Sequence, residues 1–208
     1  AGRAAGGTLG DAYIAALLGG FRRYHEHFGV AVDELPMAMP ISLRTGEDGM
    51  GGNRFAAARF AAPAQERDPA ERIRQVHDLV LAARSEPAID ALGFIAPALA
   101  AVPAPLLAEV QLRQTRTLDL QVTNIPGLAH PVYLAGARVE RMYPFGPLPG
   151  CAVMAALLSH AGTCCIGINC DAAAVTDMGA FMDCLRQGLD EVLALGRRST
   201  GPDTRRSG

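Results

Sequence analysis

The six residues Leu-Asp-Leu-Gln-Val-Thr at 118–123 alternate apolar and polar without interruption. A period of two is the signature of a strand with one buried face. Elsewhere the apolar period is helical: Ile14, Leu17, Leu18, Phe21 and Phe28 recur at that spacing, with Arg22, Arg23, Glu26 and His27 largely on the other side. The two periods interleave along the whole chain. That constrains the fold to α/β, a mixed sheet with flanking helices.

Local signals place the elements. Thr8 followed three residues later by Asp11 reads as a capping box, so a helix is predicted over 9–28, with Gly29 as its stop. Residues 36–43 read as a buried strand in which Pro40 demands an edge position or a bulge. Residues 44–53 form a glycine-rich loop, and 53–61 the next strand. Asp68-Pro69 opens a second helix, with Ile73, Val76, His77, Val80 and Leu81 as its apolar stripe. Residues 152–159 and 163–169 read as strands joined at His160-Ala161-Gly162. Thr176 is expected to cap a last helix reaching about Leu195, with Met178, Phe181, Leu185, Val192 and Leu193 on its face. Residues 1–7 are expected to be flexible, 8–196 to form the domain, and 197–208 to be a disordered tail.

Composition removes several function classes. The chain has 208 residues, half of them apolar, and a net charge of −2, so no broad electrostatic field for nucleic acid exists. All 19 basic residues are arginines, which excludes lysine Schiff-base chemistry. Five cysteines without a Cys-x-x-Cys spacing argue against a disulfide framework and for a reducing cytosol. The opening AGRAAGG has no hydrophobic signal core. Residues 91–108 carry no charge but are broken by Pro97, Pro103 and Pro105, which favours a buried or interfacial helix pair over a membrane span.

Most polar clusters have a plain structural explanation. His25 and His27 are two apart on a helix and do not share a face, so no metal pair is expected. Cys164, Cys165 and Cys170 have no adjacent base in sequence and read as packing residues. His77 reads as a core histidine with its hydrogen bonds satisfied, and His160 as a solvated turn residue. Thr123-Asn124, followed by Pro126-Gly127, admits two readings. One is a turn. The other is a strand end that presents a hydroxyl and an amide to a cleft, where such groups can donate to a developing oxyanion.

The run Thr123-Asn124-Ile125-Pro126-Gly127, with Tyr133-Leu134-Ala135-Gly136 and Tyr143-Pro144 behind it, resembles the C-terminal half of the wax ester synthase/diacylglycerol acyltransferase family. TLGDAYIAAL, MPISLR, GNRF and PAERIRQVHDLVLAAR match the preceding segments in order, so the resemblance runs from about Thr8 to Leu195. It implies one lobe of a chloramphenicol-acetyltransferase-like, CoA-dependent acyltransferase fold, with a tunnel between two lobes. Acyl-CoA would enter as substrate, no further cofactor being implied, and diacylglycerol or a long-chain alcohol would be the acceptor. The family's catalytic histidine belongs to a His-His-x-x-x-Asp-Gly motif of the N-terminal lobe, and no His-His pair occurs in these residues. The resemblance therefore implies that the base comes from an N-terminal lobe, in cis or in trans, and that this chain alone is inactive. Thr123 and Asn124 would be oxyanion donors, and Asp11, Pro126, Gly127, Tyr133, Gly136 and Tyr143 channel or structural residues. The family's Asn-Asp pair is Gly10-Asp11 here, leaving Asp11 to cap or to pair with an arginine. Lipid substrates imply a cytoplasmic protein with peripheral contact at a membrane or lipid droplet. The competing expectations are a non-catalytic lipid-binding or interaction module and a degenerate remnant of the enzyme.

Overall fold

The computed structural model describes residues 1–42, 55–85, 116–148 and 150–199, with isolated positions between 103 and 113. The glycine-rich loop 44–53 and most of the uncharged 91–108 segment lie outside the described residues. The elements, in chain order, are α1 (Leu9–His27), β1 (Glu34–Ser42), β2 (Phe55–Pro63), α2 (Pro69–Arg84), β3 (Leu120–Pro126), β4 (Tyr133–Leu134), β5 (Ala137–Arg138), β6 (Val153–His160), β7 (Thr163–Cys170) and α3 (Met178–Ser199). They form two compact units: residues 1–35, 62–81 and 177–208 in one, and 36–61 and 82–176 in the other.

The first unit is built on α1, whose residues from Asp11 to Leu18 are all buried. The Thr8 capping box forms as the sequence predicts: Asp11 N–H donates to Thr8 Oγ1 at 3.2 Å, and Thr8 N–H to Asp11 Oδ2 at 2.8 Å. Glycines let α3 approach closely. A Cβ on Gly188 would lie 2.2 Å from the Ala16 carbonyl oxygen, so the backbones meet without side chains between them. Phe181 packs edge-on against Phe21 and Tyr24, with ring centroids 5.2 and 5.1 Å apart. Arg72 of α2 is fully buried. It donates to Ala15 O at 2.7 Å, to Glu66 O at 2.6 Å and to the Glu191 carboxylate, which Arg23 also holds. This network ties the three helices together.

Local details of this unit differ from the sequence reading at α3 and on two apolar faces. In residues 1–7, Arg3–Ala5 is a 3-10 turn, Ala5 is buried, and Gly7 N–H donates to Gly2 O at 2.8 Å. The cap of α3 is Asp177 rather than Thr176, because Asp177 Oδ1 accepts from Ala180 N–H at 2.9 Å. The helix continues to Ser199, and Leu81, Met178 and Leu193, assigned to apolar faces, are exposed.

The second unit holds a five-stranded sheet in the order β2-β1-β3-β6-β7. β3 is parallel to β1 and β6, and β6–β7 is an antiparallel hairpin. The mixed sheet is thus as the sequence predicts. Pro40, however, lies in an interior strand. β1 pairs with β3 only at Met37↔Leu120 and Ala38↔Gln121, so the missing proline N–H falls beyond that ladder. β3 pairs with β6 along its whole length, from Leu120↔Val153 to Pro126↔Ser159.

Two hairpin turns share one device. Ala135 and Gly136 (φ 49° and 84°) join β4 to β5, and Ala161 and Gly162 (φ 46° and 83°) join β6 to β7. Positive φ at both central residues is the type I′ geometry that matches strand twist.

Candidate functional site

The alternation of burial ends at Thr123, but the strand does not stop at Asn124, as the sequence suggested. β3 runs through to Pro126, and the turn begins at Gly127. The reason for Gly127 is steric. A Cβ there would sit 1.8 Å from the Ser159 carbonyl oxygen, so the chain can cross the end of β6 only as glycine. Beyond it, Ala161 N–H donates to Leu128 O at 2.9 Å.

Because Thr123 and Asn124 are both within the strand, they face opposite sides of the sheet. Thr123 is half-buried and Asn124 exposed. Among the described residues neither side chain has a hydrogen-bond partner. Both lie at the carboxyl end of a strand with parallel neighbours, where open α/β sheets receive ligands. Asn124 lies beyond the β1–β3 pairs Met37↔Leu120 and Ala38↔Gln121, and its carboxamide is exposed. The cavity of about 270 Å³ lined by Pro36, Met37, Arg59, Thr117 and Leu118 is at the opposite, amino end of β3.

The register gives Thr123 and Ile125 a shared face with Ala156 and Leu158, and through them with Cys165, Gly167 and Asn169 of β7. A strap, residues 139–148, crosses this face on its backbone. His160 Nε2 donates to Val139 O at 3.3 Å, and Asn169 Nδ2 to Gly146 O at 2.5 Å. Gly167 leaves room for Pro144 O, which would be 1.7 Å from any Cβ there. Leu148 packs on Ala38, Leu118, Cys151 and Met154.

His160 is therefore not the solvated residue its turn position suggested. It is 1% exposed, and its Nδ1 is buried without a partner among the described residues. The sequence reading missed His160, Gly167 and Asn169 as anchors. The one available signal was the alternation of Gly167 and Asn169 on β7, which puts them on one face.

Tyr133 and Tyr143 are exposed, and Gly136 is the second turn residue of the β4–β5 hairpin. Asp11 belongs to the other unit and is engaged there. Its Oδ2 accepts from Thr8 N–H, Thr8 Oγ1 and His77 Nδ1, each at 2.8 Å. Asp11 thus caps the helix, the first of the two expected roles, and its further partner is His77 in place of an arginine. His77 is satisfied, as the sequence suggested, but it is half-buried rather than in the core.

His25 Nδ1 meets Phe21 O at 2.9 Å, while Glu26 pairs with Arg22 and Arg67, so the His-Glu-His run disperses into separate contacts. Burial pushes the thiols of Cys151, Cys170 and Cys184 up from their ordinary range, away from nucleophile chemistry. Among the described residues no helix is long and apolar enough to cross a membrane.

Comparison with known proteins gives the family and the fold. The family model of the WS/DGAT C-terminal domain matches residues 51–192. A Mycobacterium tuberculosis H37Rv protein named "Putative diacyglycerol O-acyltransferase Rv2484c" is 41% identical over 195 residues, covering 94% of this chain and 40% of that protein. The wax ester synthase/diacylglycerol acyltransferase structure from Marinobacter aquaeolei VT8 superposes with a TM-score of 0.64 at 22% identity, over 93% of this chain and 45% of that one. A condensation domain of the enacyloxin polyketide synthase gives 0.57 at 14% identity, over 98% and 39%. The chain thus spans about two fifths of the curated relative. The fold is the chloramphenicol-acetyltransferase-like one that the resemblance implied. The chain belongs to the wax ester synthase/diacylglycerol acyltransferase family, whose C-terminal domain it carries.

Proposed function

We propose that this chain is the C-terminal lobe of an acyl-CoA:alcohol O-acyltransferase that makes triacylglycerol or wax ester. It supplies one wall of the substrate tunnel and a hydrogen-bond donor, Asn124, but no general base. The acceptor alcohol is deprotonated by the histidine of an N-terminal lobe and attacks the thioester carbonyl. Asn124 Nδ2 then donates to the oxyanion; its collapse breaks the thioester C–S bond, releasing the ester and CoA, whose sulfur takes back the proton held by that histidine, while Thr123 lies on the strap side of the strand. Asp11 holds the start of α1 and takes no part in the chemistry.

The observation that carries this reading is the position of Asn124. It is exposed and without a partner among the described residues, at the carboxyl end of a parallel strand, beyond the β1–β3 pairs Met37↔Leu120 and Ala38↔Gln121. A polar group held on a strand but not used by the fold is suited to an external ligand. Substituting Asn124→Ala in the complete two-lobe enzyme tests it. The expected result is a fall of about 100-fold in kcat with KM little changed. An unchanged kcat would refute the role.

A non-catalytic binding module is the second reading, and the exposed apolar side chains of the strap favour it. Binding of long-chain alcohol or acyl-CoA by the complete enzyme without turnover would select it.

A further inference from the structure

Oxyanions of acyl transfer are commonly held by more than one donor, and Asn124 is one. The backbone just beyond it gives little. Pro126 has no N–H, and Gly127 N–H is turned to Ser159 Oγ at 3.5 Å.

The strand register brings a side chain to the same place. β3 and β6 are parallel and pair Asn124↔Leu157 and Pro126↔Ser159, so their carboxyl ends share one end of the sheet. Alternation puts Asn124, Leu157 and Ser159 on one face, the face away from the strap. Leu157 is buried between them, Ser159 is half-buried and Asn124 exposed. A strand spacing of about 4.8 Å and a two-residue rise of about 6.6 Å put the two Cα atoms about 8 Å apart. A carboxamide and a hydroxyl that lean toward each other across that span can meet on one oxygen atom.

The bond from Gly127 shows which way Ser159 leans. Its Oγ reaches the residue that follows Pro126, so the hydroxyl points to the end of β3. That bond uses an acceptor lone pair. A serine hydroxyl also carries a proton, and among the described residues no acceptor takes the one on Ser159. A hydroxyl that accepts a hydrogen bond donates more strongly in turn, because bonds in a chain polarise one another. Gly127 is the residue that the Ser159 carbonyl allows at this crossing, and its N–H is what holds the hydroxyl.

We infer that Ser159 is a further oxyanion donor for acyl transfer, its O–H directed at the oxygen that Asn124 Nδ2 serves. This rests on the reading of Asn124 above. Ser159 keeps its proton throughout: it donates a hydrogen bond to the thioester oxygen as that oxygen becomes an oxyanion, and no covalent bond to it forms or breaks.

Steady-state kinetics of the complete two-lobe enzyme test it, with Ser159→Ala, Ser159→Thr and Asn124→Ala side by side. The expected result is that Ser159→Ala lowers kcat about 10-fold, with KM and the calorimetric Kd for acyl-CoA little changed. Ser159→Thr, which keeps the hydroxyl, restores most of the loss. An unchanged kcat in Ser159→Ala beside a fall in Asn124→Ala overturns this donor and leaves the functional reading standing. A fall in Ser159→Ala beside an unchanged Asn124→Ala supports the serine and refutes the role of Asn124, and no change in either refutes both. Two further results overturn the inference: a raised KM at unchanged kcat, and a urea midpoint that falls in step with kcat across both serine variants, which leaves Ser159 only the holding of the Gly127 turn.

Discussion

Substituting Gly127→Ala probes the join between the family motif and the fold. The added methyl would sit 1.8 Å from the Ser159 carbonyl oxygen, where an ordinary carbon–oxygen contact needs more than 3 Å. Relief requires a displacement of over 1 Å between the end of β3 and the end of β6. The oxygen cannot swing aside, because it belongs to strand backbone paired on both sides, at Pro126↔Ser159 and Ser159↔Cys164. Overpacking against movable side chains costs about 1–3 kcal/mol, so a clash with fixed backbone is expected to cost about 3 kcal/mol. Gly162→Ala is the control. It meets open space and carries only the penalty of its positive φ, about 1 kcal/mol. Urea unfolding followed by circular dichroism, with the slopes compared, measures both. If Gly127→Ala unfolds within 1 kcal/mol of the unchanged chain, or Gly162→Ala costs more than Gly127→Ala, the crossing is not closed as described.

Further expectations concern the helical unit and the turns. Arg72→Leu strips donors from Ala15 O and Glu66 O and leaves the Glu191 carboxylate to Arg23 alone. A loss of about 3 kcal/mol is expected, against less than about 0.5 for Arg67→Ala, whose ion pair is largely solvated; equal losses in denaturant would contradict the network. The Arg23 and Arg72 guanidiniums hold the Glu191 carboxyl below its ordinary value of 4.5, against the opposing effect of burial. A depressed carboxylate contributes stability that is full above that ordinary value and is lost as pH falls through the lower folded one. Acid titration should therefore show a stability loss below about pH 4.5 that Glu191→Gln flattens, and an identical profile for both proteins would count against the assignment. Ala161→Asn should raise stability by about 0.5–1 kcal/mol, because asparagine tolerates the left-handed conformation that alanine adopts there; a lower thermal midpoint would contradict this.

Local rules were legible in the residues themselves. The Thr8–Asp11 box, the Asp68-Pro69 helix start, the β6–β7 hairpin and the mixed sheet follow from short-range patterns whose physics acts within a few residues. What stayed hidden depends on neighbours distant in sequence. The alternation at 118–123 could not show that the strand continues through Pro126, since the next residues are held by β6 rather than by their own pattern. His160 looked solvated because turns usually are, yet it is buried and its Nε2 meets Val139 O, 21 residues away in sequence. The pairing of Asp11 with His77 joins residues 66 apart. For the candidate site, the sequence pointed to this strand end but treated Thr123 and Asn124 as one unit, and the pleat separates them.

In the proposed function this lobe contributes a donor and a tunnel wall but no proton acceptor. The most direct measurement is ester formation from a fatty acyl-CoA and a long-chain alcohol or diacylglycerol, by the purified 208-residue chain beside the complete two-lobe enzyme. No ester above the uncatalysed rate is expected from the chain alone, and steady turnover from the complete enzyme. Turnover by the chain alone would contradict it.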